Sequence, residues 1–306
     1  MNRRTFLGSA AAWPALAQQA PQRPDADQTI TLDVTRVNLL FTVTDKRGRF
    51  VNNLEKDDFD IFEKKKKQTI LEFSAESDLP LRIALLIDTS NSIRDRFKFE
   101  LEAASQFLNS VIRKGRDKAL IYTFDTQADL IQDLTDDTDL LGKKLRDLRP
   151  GGGTAMYDAI YFACRDRLMM DRPRHKFRRA VVIVGDGEDN SSRHTRDQAL
   201  EMADKAEAVI FAISTNITRA ETDGDKVLKY FARQTGGQAF FPFKAEDLAQ
   251  DFENIANELR SQYSVLYRPE PLKTDGQYHE VEVRVRLRRD LVVRARKGYY
   301  APFLAQ

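Results

Sequence analysis

The sequence predicts an α/β fold with a doubly wound, mostly parallel sheet, and three observations support this prediction. First, the middle of the chain alternates short apolar runs with helix-like segments, as parallel strands joined by crossover helices do. Second, the run from Ile83 to Ile87 contains no polar residue, which is typical of a strand buried on both faces. Third, Asp88 and Asp186 each stand at the carboxyl end of such a run. Both acids are therefore expected at one edge of the sheet, where open α/β sheets bind ligands.

We assign residues 79–261 to this α/β domain. Its predicted strands share a short apolar run: Ile83 to Ile87, Ala119 to Phe124, Ala180 to Val184, Val209 to Ile213 and Gln238 to Phe241. The segments between them have the spacing of amphipathic helices, as in Phe99, Ala103 and Phe107 with charged residues on the other face. Residues 128–132 follow a turn soon after the second strand, and we expect them to form an antiparallel edge strand.

Both ends of the chain are predicted to be β-rich. Residues 29–78 contain short strand-like segments separated by turn signals, and residues 262–306 contain more of them. Between residues 281 and 287 apolar side chains alternate with charged ones, which indicates a half-exposed strand, and Arg289-Asp290 is interpreted as a hairpin turn. Because small isolated sheets are marginally stable, we expect the two ends to share one small Ig-like β-sandwich with the α/β domain inserted between them. Two separate β units are the alternative.

The basic run from Lys64 to Lys67 lies between two strand-like segments. Short charged runs of this kind are usually solvated, so we predict a hairpin tip rather than a binding patch.

Residues 1–17 are predicted to be an export signal. Arg3 and Arg4 precede a weakly apolar run, and Ala15-Leu16-Ala17 is an A-x-A cleavage pattern. The arginine pair resembles the twin-arginine type of bacterial signal. The apolar run is too short to span a bilayer, so no membrane span is expected in the mature chain. We expect an exported protein, periplasmic or extracellular, whose residues 18–28 form a flexible leader.

Composition and charge exclude some partners and chemistries. The chain has 49 basic and 47 acidic residues, and this near-neutral balance gives no reason to expect nucleic acid or an anionic membrane as a partner. Cys164 is the only cysteine, so no internal disulfide forms, and its apolar context indicates a buried small hydrophobe rather than a nucleophile. The three histidines, His175, His194 and His279, match no zinc spacing and are expected at the surface.

Oxygen-bearing side chains gather at the carboxyl edge of the predicted sheet. Three of them alternate in the stretch Asp-Thr-Ser-Asn-Ser directly after the first strand. A threonine follows the loop Gly151 to Gly153, where it can cap the next helix or offer its hydroxyl to a metal. Carboxylate and hydroxyl oxygens are ligands that suit Mg²⁺. The residues that can meet at this edge are Asp88, Ser90, Ser92, Thr154 and Asp186.

Taken together, the Asp-Thr-Ser-Asn-Ser stretch, the later Gly-Gly-Thr and the Asp-Gly after a buried strand resemble the metal-ion-dependent adhesion site of von Willebrand factor type A domains. The resemblance covers residues 80 to about 260. The flanks resemble a family of bacterial exported proteins that contain this domain, through the D-F-x-I-F-E stretch at residues 58–63 and through Arg296 to Tyr300. These flanking matches are short and less specific than the metal-site motif.

The resemblance implies that Ser90, Ser92 and Thr154 offer hydroxyls to a divalent cation, and that Asp88 and Asp186 bind it directly or through water. It further implies Mg²⁺, with Mn²⁺ or Ca²⁺ as other candidates, and a protein partner whose exposed Asp or Glu fills an open position on the ion. The site would then be adhesive rather than catalytic, with no catalytic residue and no organic cofactor. Gly185 departs from the family, which often has threonine there, and we expect this to affect packing more than ligation.

Two other functions use the same residues. A metal-dependent, phosphatase-like hydrolase would employ Asp88, but the stretch after this residue lacks the second aspartate that an acid partner would require. A structural envelope protein would use the metal only to stabilise its fold. A plain helix cap at Asp88 and Ser90 does not account for Thr154 and Asp186.

Overall fold

The structure of the protein is a computed structural model that describes residues 36–303, apart from 76–78, 91–96, 173–175, 217, 219, 243, 287 and 289. The predicted export signal, the leader and the strand-like stretch that begins at residue 29 lie outside the described residues, as do Ser92 and His175.

Fourteen strands occur in the described part of the chain. The first four precede the α/β domain: β1 (Val37–Thr44), β2 (Phe59–Glu63), β3 (Lys66–Gln68) and β4 (Ile70–Ser74). Six belong to that domain: β5 (Leu81–Asp88), β6 (Lys118–Phe124), β7 (Ala128–Thr135), β8 (Arg178–Gly185), β9 (Ala208–Ser214) and β10 (Ala239–Phe240). The last four follow it: β11 (Tyr263–Tyr267), β12 (Tyr278–Val285), β13 (Val292–Ala295) and β14 (Gly298–Tyr300).

The α-helices that the structure describes all lie between β5 and β11. They are α1 (Phe97–Val111), α2 (Thr138–Arg146), α3 (Met156–Ala163), α4 (Arg196–Lys205), α5 (Asp223–Thr235) and α6 (Ala245–Arg260). A short π-helix, Cys164–Leu168, continues α3.

The α/β domain is built on a six-stranded sheet in the order β10-β9-β8-β5-β6-β7. All neighbouring pairs are parallel except β6 and β7, so the predicted antiparallel edge strand is confirmed. Along β5, Ile83, Leu85 and Ile87 pack with α1, α2 and α6, while Ala84 and Leu86 pack with α3, α4 and α5. Both faces of the sheet are thus covered by helices, and the predicted α/β fold is confirmed.

The strands outside this domain form two four-stranded antiparallel sheets. Their orders are β13-β1-β11-β4 and β14-β12-β2-β3. Each sheet combines strands from both ends of the chain, and the two sheets enclose one apolar core. Four aromatic rings meet there, Phe41, Phe59, Phe73 and Tyr263, with centroids 5.1 to 5.8 Å apart. We call this pair of sheets the β unit; its Ig-like class stays a prediction.

Two predictions about the β unit are wrong. The strand at 281–287 does not form a hairpin with the strand that contains Val293, because β12 pairs with β2 and β14 whereas β13 pairs with β1 in the other sheet. His279 is not a surface residue: it is 0% exposed. Its side chain points inward because it shares the strand parity of Val281 and Val283, which face the core.

The lysine run forms the predicted solvated hairpin tip. Lys64 and Lys65 connect β2 to β3, and all four lysines are exposed. Both turn residues have positive φ, 46° and 69°, a backbone region that favours glycine or asparagine.

Cys164 is buried, as predicted. Burial raises the pKa of its thiol to about 12, so the thiol stays protonated and behaves as part of the core. None of the helices in the described part of the chain is long and apolar enough to cross a membrane.

Candidate metal centre

The sheet brings two of the predicted metal ligands to one edge. β5 and β8 are parallel neighbours, with Ile87 opposite Val184. Asp88 ends β5, and Asp186 directly follows β8. Because parallel strands point their carboxyl ends the same way, both acids lie at the same edge, as the sequence predicts.

A backbone hydrogen-bond chain joins the loops at this edge. The N–H of Thr89 donates to the carbonyl of Phe124 at 3.1 Å, and the N–H of Gly151 donates to the carbonyl of Thr89 at 2.6 Å. The glycine loop therefore lies against the loop that begins at Asp88, and it ends at Thr154.

Thr154 is in turn held by the loop after β8. Its N–H donates to Oδ1 of Asn190 at 3.0 Å, and its carbonyl accepts from the N–H groups of Asn190 and Ser191, each at 3.0 Å. Thr154 thus connects the loop that follows Asp88 to the loop that follows Asp186.

The hydroxyl of Thr154 is not needed as a helix cap. The N-cap position of α3 is Ala155, which has no side chain able to cap. Instead, Oδ2 of Asp189 accepts from the N–H of Tyr157 at 2.8 Å and from the hydroxyl of Ser192 at 2.7 Å. Asp189 therefore caps α3, so of the two roles left open for the Thr154 hydroxyl, the helix cap is already filled.

The loop that carries Asp186 is fixed by a close backbone contact. Gly187 has φ +80°, and a Cβ placed on it would lie 2.2 Å from the carbonyl oxygen of Gly224 in the first turn of α5. A Cβ on Gly224 would meet the carbonyl oxygen of Asp186 at the same distance. Only glycine permits this approach, so the contact with the start of α5 fixes the position of the backbone at Asp186.

Asp88 is the most unusual group of the site. It is 0% exposed, and its Oδ1 accepts from the N–H of Ser90 at 2.7 Å. Its Oδ2 is buried and has no hydrogen-bond partner among the described residues. Burial raises the pKa of Asp88 to about 6; hydrogen bonds from Ser90 and from the backbone of Asp186 oppose this rise, and the negative charge of Asp186 adds to it.

This donor set fits a divalent cation. A buried carboxylate oxygen without a partner costs free energy unless a donor or a cation satisfies it. Asp186 adds a second negative charge beside it, and the nearby Ser90 and Thr154 are 4% and 5% exposed. Oxygen donors of this kind are those that Mg²⁺ or Ca²⁺ binds.

Three of the predicted ligands, Asp88, Ser90 and Asp186, are directly linked by these interactions. Thr154 is bonded to the loop after β8, and its own glycine loop contacts Thr89 through Gly151. Ser92 lies outside the described residues. Across the described ranges no group of three or more His, Cys, Asp or Glu side chains could hold a metal ion. A metal ion at this edge would therefore need hydroxyl oxygens as ligands besides the two carboxylates.

Asn190 and Asp189 are structural residues of the site, through their hydrogen bonds to the N–H groups of Thr154 and Tyr157. The sequence predicts a solvated acidic loop at Asp189 and gives no role to Asn190. Both belong to the polar stretch Glu-Asp-Asn-Ser-Ser after β8. A run of Asp, Asn and Ser after a buried strand favours side-chain-to-backbone hydrogen bonds, and this signal alone could have marked the loop as an ordered one.

Fold and site together define an α/β-sheet protein with a candidate cation site at the carboxyl edge of its strands. Residues 83–188 match the family model of the von Willebrand factor type A domain. The chain therefore contains a von Willebrand factor type A domain.

Solved structures with a similar fold come from several organisms. Proximal thread matrix protein 1 from the mussel byssus, with a zinc-occupied metal-ion-dependent adhesion site, is 17% identical with a TM-score of 0.50, over 62% of this chain and 48% of that one. The tip protein Mfa5 of type V pili from Porphyromonas gingivalis is 14% identical with a TM-score of 0.46, over 58% and 94%. The PilB minor pilin from Streptococcus sanguinis is 13% identical with a TM-score of 0.49, over 61% and 63%.

This chain spans less than two thirds of the PilB minor pilin and about half of the mussel protein. At these identities the likeness concerns the fold. No curated protein matches the sequence.

Proposed function

We propose that this chain is an exported, metal-ion-dependent binding module of the adhesion type. The observation that carries the proposal is the buried Oδ2 of Asp88, which has no hydrogen-bond partner in the described part of the chain. A bound cation would satisfy this oxygen and balance the charges of Asp88 and Asp186.

The proposed ligands are the five residues of the sequence motif. Asp88 and Asp186 would contribute carboxylates, directly or through water, and Ser90, Ser92 and Thr154 would contribute hydroxyls. Mg²⁺ is the first candidate because it suits a small all-oxygen site and retains water ligands; Mn²⁺ and Ca²⁺ are the others. When bound, the ion supplies a positive position at the edge of the sheet.

The proposed partner is a protein with an exposed Asp or Glu. A carboxylate from the partner can replace a water on the ion, since the ion attracts negative charge that the acidic edge of this chain would otherwise repel. Recognition through a cation needs no group that makes or breaks covalent bonds, so we propose binding without catalysis.

The rest of the assignment follows the sequence. We propose that residues 1–17 direct export through a twin-arginine signal, which places the mature protein in the periplasm or outside the cell. We further propose that residues 29–78 and 262–306 form one Ig-like unit of the bacterial exported family, with residues 79–261 as the inserted binding domain.

Calorimetric titration with MgCl₂, MnCl₂ and CaCl₂ tests the metal site directly. We expect one site per chain in the mature protein, lost in Asp88→Asn and Asp186→Ala and weakened in Thr154→Ala. Asp223→Asn is the matched control, because Asp223 is an exposed acid of the same edge that pairs with Lys226. Equal affinity in the wild type and in Asp186→Ala would remove the proposed site.

Partner binding is tested by capture from an extracellular or periplasmic fraction with and without EDTA. We expect EDTA and Asp88→Asn to abolish capture to the same extent, and an Asp or Glu of the captured protein to be essential. Hydrolysis of generic phosphate esters that disappears in Asp88→Asn would instead favour a hydrolase. A metal that raises the melting temperature without any partner would favour a structural role.

A further inference from the structure

The α/β domain and the β unit meet at a junction that polar groups hold in one arrangement. The N–H of Lys297, between β13 and β14, donates to the carbonyl of Gln234 in α5 at 3.0 Å. A Cβ on Gly236, which ends α5 with φ +85°, would lie 2.5 Å from the N atom of Arg296. Glu258 of α6 accepts from the hydroxyl of Thr42 at 3.1 Å. Contacts this close leave little freedom between the two units.

Asp204, in the last turn of α4, is a buried carboxylic acid at this junction without a donor. It is 5% exposed. Within the described ranges, burial and the charges of Arg296 and Glu201 act on its carboxyl group, with no hydrogen bond among these influences. Burial raises the pKa of Asp204 to about 7, and the attraction of Arg296 lowers it only in part.

Arg296 faces the same small cavity from the β unit. The cavity is lined by groups of both units, among them Asn38, Asp204, Glu207 and Arg296. Arg296 is 7% exposed, and its Nη2 donates to the carbonyl of Asn38 at 2.6 Å. Its Nε and Nη1 atoms are buried without partners in the described structure, as is Oε2 of Glu207. Charged groups therefore face the cavity without direct pairing.

We propose that Asp204 makes the junction sensitive to pH, so that the β unit docks on the α/β domain most tightly in acid solution. When Asp204 is protonated, it is uncharged and needs no hydrogen-bond donor from the cavity. As the carboxylate, it adds an unpaired buried charge, which is costly in a site of low polarity.

The direction of the effect follows from the two states of the chain. The folded state holds the Asp204 proton up to about pH 7, whereas an aspartate of the unfolded chain loses its proton near pH 3.8. The folded state therefore binds more protons between these values, so stability from Asp204 is fully present below about pH 4 and is lost as the pH rises to about 7.

Several of the groups that face Asp204 do not titrate in this window. Burial raises the pKa values of Tyr278, Tyr300 and Cys164, so all three stay neutral throughout it. Arg296 stays charged. The acids nearby are Glu201, which pairs with Lys205 at 2.6 Å on the same helix, and Glu207.

Thermal unfolding of the full mature chain in EDTA from pH 4.5 to 8.5 tests the proposal. We expect the melting temperature of the wild type to fall by several degrees relative to Asp204→Asn as the pH rises from 4.5 to about 7, and the difference between the two to stay constant above pH 7. Asp197→Asn is the matched control, because this exposed acid lies in the first turn of the same helix; it should follow the wild type at every pH.

Hydrogen exchange locates the effect at the junction. We expect the amide of Lys297 to exchange at least tenfold faster in the wild type than in Asp204→Asn at pH 8.5, since each pKa unit of linkage corresponds to a factor of ten and the shift exceeds one unit. At pH 4 the ratio should approach one.

A constant difference between the wild type and Asp204→Asn at all pH values would overturn the proposal, because it would indicate a purely structural role. Should Asp204→Asn fail to fold, a ¹³C NMR titration of the wild type decides. A midpoint for the Asp204 carboxyl carbon near 7 supports the proposal, and one near 4 contradicts it.

Discussion

Glu63 in the β unit and Asp88 in the α/β domain are both buried carboxylates at the last residue of a strand, but their surroundings differ. Oε2 of Glu63 accepts from the hydroxyls of Tyr267 and Tyr299 at 3.1 and 3.2 Å, and Oε1 lies 3.0 Å from Nδ1 of His279. Asp88 has one oxygen bonded to the N–H of Ser90 and the other without a partner among the described residues.

The difference separates two uses of a buried acid. A carboxylate whose oxygens are all satisfied within the chain stabilises the fold and needs nothing more. A carboxylate with an unsatisfied oxygen at the edge of a sheet lowers the stability of the metal-free fold and gains most from a ligand. The contrast with Glu63 thus strengthens the assignment of Asp88 to binding.

The largest expected effect is on stability, from removing the satisfied acid. Glu63→Ala leaves two tyrosine hydroxyls and His279 without their partner in the core, and we expect it to lower the free energy of unfolding by about 4 kcal/mol. Asp88→Asn, measured without metal, should change it by less than about 1 kcal/mol, because it removes a charge that nothing balances. Urea denaturation in EDTA measures both. Equal losses would erase the distinction between the two acids.

The second effect concerns the ligand. We expect Mg²⁺ at 100 times its dissociation constant to stabilise the wild type by about 2.7 kcal/mol, the value for a ligand that binds only the folded state. The gain should vanish in Asp186→Ala and persist in Glu63→Gln, since only the first variant alters the proposed site. Thermal denaturation with Mg²⁺ and with EDTA measures it, and a gain retained in Asp186→Ala would contradict the site.

A third change tests the space around the unsatisfied oxygen. A Cβ on Gly185 would lie 3.0 Å from Cβ of Asp88, 3.1 Å from its Oδ2 and 3.1 Å from Cζ of Phe124. We expect Gly185→Ala to destabilise the protein by about 2 kcal/mol through overpacking and to weaken Mg²⁺ binding by displacing the carboxylate.

Gly151→Ala is the control for this variant, because a Cβ there meets nothing within 4 Å. If Gly185→Ala lowers stability but leaves Mg²⁺ affinity unchanged, then the glycine affects packing alone.

The smallest expected effect lies in the β unit. Lys64 and Lys65 occupy positive φ values in the β2–β3 turn, so Lys64→Asn with Lys65→Gly should stabilise the protein by about 1 kcal/mol. Lys66→Gly, one residue further in β3, should instead destabilise it. Denaturant midpoints measure both changes. A gain seen for the whole chain would indicate that the β unit and the α/β domain unfold together, and no gain would indicate that they unfold separately.

The sequence carries most of the information about the α/β domain. Apolar runs such as Ile83 to Ile87 mark the strands because parallel strands are buried on both faces, and their carboxyl ends locate Asp88 and Asp186 without any coordinates. The contact between Gly187 and Gly224 could not be predicted in this way, since it depends on how a loop and a helix far apart in the chain approach each other.

The structure of the β unit is harder to predict from the sequence than that of the α/β domain. Two strands joined by a short turn normally form a hairpin, and this expectation fails for β12 and β13 because the chain crosses from one sheet to the other. His279 could have been placed correctly from its parity with Val281 and Val283, but its partner Glu63 comes from a distant strand. Pairing between the two ends of a chain leaves no local pattern in either segment.

The connections of the inserted domain have a consequence for the order of assembly. β4 and β11, the strands on either side of the insertion, are hydrogen-bonded neighbours. Arg178 donates to the carbonyls of Leu79, just before β5, and Leu259, in the last turn of α6. Among the described strands, β1 pairs only with β11 and β13, and its end also contacts Phe50 and Val51. Most of β1 therefore lacks a strand partner until the ribosome has produced the C-terminal strands.

During translation, the apolar stretch from Val37 to Thr44 therefore remains largely unpaired while the α/β domain folds through its own local contacts. Once formed, that domain brings the two connections together and reduces the entropic cost of closing so long a loop. Nascent chains would then depend on a holding chaperone over this interval, and a slow ribosome would lengthen their exposure to aggregation.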